Sequence, residues 1–130
     1  MPAPPEGLDA SPWRRRGGYL VLVALAACQV WALYLYAPGQ GPNPGHVDKL
    51  VHVALFAVPV ALAVALRLRW VVTLLVLHAL VSEPLQGLLT RQREADVWDT
   101  VADGIGIVIG VAVARRFRTG GDRLPTESTS

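Results

Sequence analysis

Asp48, Lys49 and His52 stand within about one helical turn of each other along the chain. Further on, Glu83 and Gln86 are three residues apart, Arg93 follows, and Asp99 and Asp103 are four apart. Carboxylates beside a histidine can take up and return protons, so Glu83 or Asp99 is a candidate general base with His52 as its partner. Lys49 and Arg93 are the counter-charges at hand for Glu83, Asp99 and Asp103. Metal chemistry fits less well. His46, Asp48 and His52 lack the tight spacing of a ligand set, so no metal and no cofactor is expected. No nucleophile motif accompanies the acids.

The spacings put these groups on shared helix faces. At about 100° per residue, Asp99, Asp103, Gly106 and Gly110 hold to one narrow stripe. Two carboxylates thereby run straight into a GxxxG face, which lets another helix backbone come close. Ala102 and Ala114 lengthen the small-residue stripe. Asp48 and His52 are four apart, and Glu83 and Gln86 share a face. Plainer roles stay open at each position. Asp48 and Lys49 can cap a helix near the headgroups, and Asp99 can be a first-turn acid favoured by the helix dipole. Glu83 can be one half of a structural ion pair. His78, alone on an apolar helix, reads as a hydrogen-bonded core residue. Gly104, Gly106 and Gly110 lack dinucleotide-loop spacing.

The elements that carry these residues are apolar. The chain has 130 residues, 52% apolar and only 17% charged. A soluble domain of this size cannot hide so much apolar sequence. Between Arg16 and Asp48 lie 31 residues without Asp, Glu, Lys or Arg. The reading is an all-α, four-span transmembrane helical bundle. The expected spans are Gly17 to Tyr36, Asp48 to Leu68, Trp70 to Leu89 with a kink or end near Pro84, and Val97 to Ala114. Residues 1–16 and 115–130 read as disordered tails around a 17–114 membrane domain. Trp31, Tyr34 and Tyr36 read as an aromatic belt at the far end of the first span. Three segments send their ionisable residues to one depth, although each such group costs roughly 2.5–3.5 kcal/mol at a membrane centre.

Charge sets the expected orientation. Nine basic residues (Arg14, Arg15, Arg16, Arg67, Arg69, Arg115, Arg116, Arg118 and Arg123) fall on one side, and Lys49, Arg91 and Arg93 on the other. The positive-inside rule then places both termini in the cytoplasm and the polar cluster on the outer side. The same flanking pattern argues against nucleic acid as the partner and for the lipid bilayer. One Lys against eleven Arg, with much Ala, Gly, Val and Pro, fits a GC-rich bacterial genome. Leu25-Ala26-Ala27-Cys28 looks like a lipoprotein cleavage site, but the apolar run continues to Tyr36. Cys28 is therefore expected as a small buried residue.

Taken in order, these residues resemble a family. Asp48-Lys49-Leu50-Val51-His52-Val53-Ala54-Leu55-Phe56 resembles the D-K-x-x-H-x-x-x-F helix start of VanZ-like proteins. Ser82-Glu83-Pro84-Leu85-Gln86 resembles their S-E-x-x-Q, and Arg93, Asp99, Gly106 and Gly110 match their R…D-x-x-x-N-x-x-G-x-x-x-G ending. Asp103 stands where that pattern usually has Asn. The resemblance implies a small bacterial plasma-membrane protein, linked by its family name to teicoplanin resistance. Its implied partner is an envelope precursor or glycopeptide at the outer face. A membrane-embedded acid/base enzyme and a structural assembly partner docking through the GxxxG face are the alternatives.

Overall fold

The structure, a computed structural model, describes residues 12–35, 45–89 and 97–120. Helix α1 spans Pro12–Val30 and continues as a π-helical turn, Trp31–Leu35. Helices α2 (Gly45–Ala65), α3 (Arg69–Leu89) and α4 (Val97–Gly120) follow. The described residues contain no strand. All four helices are long and apolar enough to cross a membrane. Only 17% to 33% of each apolar stretch is buried inside the protein, so most of that surface faces outward. Water would expel such a surface and hydrocarbon would not. The chain is an all-α, four-span multi-pass membrane protein.

Helices α2 and α4 make by far the most extensive pairing. Glycine causes it. A Cβ at Gly110 would sit 2.5 Å from the Ala57 carbonyl oxygen, and one at Gly106 would strike the Val53 carbonyl oxygen. Without those side chains the two backbones touch. The contacts rise together along both helices, Lys49 with Asp99, His52 with Asp103, then Val53 with Gly106 and Ala57 with Gly110. The two helices therefore run parallel. Helices α1 and α3 run the opposite way, since Gly18 near the start of α1 meets Leu66 just past the end of α2. Leu33, Phe56 and Ala79 form a small apolar core where α1, α2 and α3 meet.

Several boundaries differ from the sequence reading. Helix α1 begins at Pro12, so Arg14, Arg15 and Arg16 lie on the helix and not in a tail. Proline is at ease in a first turn, and arginine is a good helix former. Helix α4 passes Ala114 to reach Gly120, with Arg115, Arg116 and Arg118 favouring the negative end of its dipole. Pro84 and Pro59 both sit inside continuous helices. Membrane helices tolerate this because neighbours can satisfy the freed backbone groups. Cys28 is exposed, on the wall of an apolar groove between α1 and α2.

Candidate functional site

One end of the bundle collects the polar side chains. It is the end where α1 and α3 finish and α2 and α4 begin. The first two turns of α2 present Asp48, Lys49 and His52. The first two turns of α4, parallel and alongside, present Asp99 and Asp103. The i, i+4 spacing on each helix turns one carboxylate and its neighbour one turn deeper toward the same seam.

His52 is the centre, 1% exposed. Its Nδ1 lies 2.8 Å from Asp103 Oδ1. When Asp103 is ionised its carboxylate can only accept, and Nδ1–H then donates to it. Nε2 faces Asp99 Oδ2 at 3.7 Å, beyond hydrogen-bond length. Asp99 is held in turn by Lys49, with Nζ 3.4 Å from Oδ1. Asp103 is fully buried. Its second oxygen is 3.1 Å from the Ser82 hydroxyl, which also lies 2.9 Å from the Ala79 carbonyl. A chain of polar groups thus runs from the half-exposed Lys49 through Asp99, His52 and Asp103 to Ser82 on α3.

The structure gathers part of the expected cluster. Lys49, His52, Asp99 and Asp103 meet directly. Glu83 is buried on α3, next to Ser82 in the chain. Gln86 lies one turn farther along α3, with its side chain outside the described residues, and Arg93 lies outside them altogether. The counter-charge of Asp99 is Lys49, whereas Asp103 faces an imidazole and a hydroxyl and no Lys or Arg among the described residues. Gly106 and Gly110 continue the acidic face of α4 and set its distance from α2.

Three residues outside the sequence-derived set belong to the surroundings. Ser82 anchors Asp103; it was legible only as the first residue of the S-E-x-x-Q-like stretch, with no role attached. Tyr34, expected in an aromatic belt, is turned inward, with its hydroxyl 2.8 Å from His78 Nε2. The π-helical turn inserts an extra residue per turn there and rotates Leu33 and Tyr34 toward the bundle. His78 also packs against Phe56, ring centroids 5.6 Å apart. No run of apolar residues announces a π turn.

Asp48, His52 and Asp99 each offer one ligand atom within 4.8 Å of the others. The expectation of no metal set rested on α2 alone; the third donor comes from α4, not from His46. One imidazole with two carboxylates suits first-row transition ions better than calcium. A cation there would have to displace the Lys49 ammonium from Asp99. In the absence of an ion, the same geometry is that of an oriented histidine. Comparisons with protein-family models, with curated proteins and with solved structures found no match.

Proposed function

We propose that this protein is a VanZ-like protein of the bacterial plasma membrane, with both termini in the cytoplasm. In this reading its polar end acts at the outer face on an envelope component, or in blunting a lipoglycopeptide antibiotic of the teicoplanin type. The observation that carries the reading is the buried Asp103–His52 pair, with Asp99 and Lys49 beside it. Its members come from the stretches that resemble the family motifs. Ionisable groups so placed in a membrane bundle are costly and mark sites of action. The orientation is supported by the arginines of all four helix ends opposite the polar cluster. The test is expression of the wild-type chain in a teicoplanin-sensitive host. The concentration of drug that stops growth should rise above that of the empty-vector strain. Unchanged susceptibility would remove the resistance reading.

One observation favours a second reading, a membrane-embedded enzyme. Asp103 fixes the His52 ring so that Nε2 points toward Asp99, the arrangement of an oriented general base. A change in extracted envelope precursors on expression, absent with His52→Gln, would support catalysis. Identical precursor profiles would remove catalysis on those precursors.

A further inference from the structure

The opposite end of the bundle holds a second constellation, separate from the polar site and independent of the envelope reading. Arg67, Arg69, Arg115 and Arg118 surround a cavity of about 380 Å³. That lies within the range of ligand pockets, roughly 300–1,000 Å³. Its walls come from three helices, with Val64 of α2, Val72 of α3 and Val111 of α4 as an apolar lining. Among the described residues no carboxylate pairs with any of the four guanidinium groups. All four are exposed, so solvent screens much of their mutual repulsion, and an anion between them would relieve what remains.

The backbone supplies an independent sign. Arg67 has φ 59°, the one non-glycine positive φ among the described residues. It follows α2, where Arg67 N–H donates to the Val64 carbonyl at 3.0 Å and Leu68 N–H to the Ala63 carbonyl at 2.8 Å. This helix ending normally places glycine at the left-handed position, because a Cβ is strained there. Glycine would close α2 with less strain. Arginine at that position brings a guanidinium to the cavity rim. Strain of this kind concentrates where a side chain is needed.

We propose that this cavity binds the phosphate of a net-negative molecule, one whose phosphate has no cation of its own beside it. Guanidinium forks match phosphate oxygens with paired hydrogen bonds, and the apolar lining suits the glycerol or chain portion of an amphiphile. Helix ends that flank apolar spans lie at headgroup depth, so an anionic phospholipid can reach the cavity from the bilayer and a soluble phosphate compound from the water. Arginines that only orient the protein would attract any anionic surface diffusely. A site saturates and depends on particular residues.

The experiment uses the purified full chain in neutral detergent, with unfolding followed by tryptophan fluorescence during heating. It is titrated separately with phosphatidylglycerol, with phosphatidylcholine and with inorganic phosphate. Phosphatidylglycerol or inorganic phosphate should raise the melting temperature saturably, and phosphatidylcholine should not. A response to the lipid alone assigns a headgroup, and an equal response to inorganic phosphate assigns a soluble anion. Arg115→Gln and Arg67→Gly should each weaken the response about tenfold, as loss of one charge-assisted pair does. Arg14→Gln, on the exposed start of α1, should leave it unchanged. Arg67→Gly also relieves strain, so its melting temperature without ligand should not fall, and a lost response cannot be blamed on misfolding. No saturable response to either phosphate source, or an equal loss in Arg14→Gln, would overturn the proposal.

Discussion

Asp103 accepts at both oxygens, from His52 and from Ser82. That geometry bears on the position itself, where the VanZ-like pattern that the sequence resembles usually has Asn. An Asn side chain can still accept from His52 Nδ1–H, and its amide can donate to the Ser82 oxygen while Ser82 donates to Ala79. Asp103→Asn should therefore keep membrane abundance and function, whereas Asp103→Ala should strand the buried imidazole and lower both. Abundance by immunoblot, with the drug-susceptibility assay beside it, reads the difference. Gln29 gives a second prediction. It is 2% exposed, and its Nε2 has no hydrogen-bond partner among the described residues. An unsatisfied buried donor costs about 1–3 kcal/mol, so Gln29→Met, similar in shape, should raise the melting temperature in detergent. A lowered melting temperature would show that the amide is used. The four-residue spacing of Asp99 and Asp103 was legible as one helix face. That His52 would meet one carboxylate at each ring nitrogen was not, because it depends on the relative height of two helices.

Helix pairing decides that height. Gly106 and Gly110 lie on α2 backbone carbonyls, so a larger side chain must push α4 away from α2. Overpacking of this kind costs typically 1–3 kcal/mol. Gly106→Leu should lower folded protein in the membrane and separate His52 from Asp103. Ile107→Leu, one position off the stripe and only partly buried, should leave abundance unchanged. Equal tolerance of both, measured by fluorescence size-exclusion of detergent extracts, would contradict the packing. The apolar runs made the four spans readable, since length and hydropathy alone define a membrane helix. The small-residue stripe was readable too, but not which helix it meets, because a stripe describes only one partner. Helix ends were the least legible. Arginines look like stop signals on a hydropathy scale, yet their stems continue both α1 and α4. A kink or an end was expected near Pro84, and α3 does not end there but runs on to Leu89.

At the scale of the molecule, two ends of opposite chemistry face the two membrane surfaces. One carries Asp48, Lys49, His52, Asp99 and Asp103; the other carries Arg67, Arg69, Arg115 and Arg118. The proposed orientation makes a direct prediction. Reporter fusions after Gln92 should signal the outer side and fusions at Gly120 the cytoplasm; an outer signal at Gly120 would reverse the assignment of both sites. The polar end is proposed as a working site and not only a lock that holds the fold. His52→Gln tests it most directly, because the Gln amide can still donate to Asp103 while the titratable nitrogen is gone. The measurement is the drug-susceptibility phenotype set against membrane abundance in the same cells. The expected result is near-normal abundance with the phenotype lost. A phenotype that stays intact, or that falls only in proportion to abundance, would contradict it.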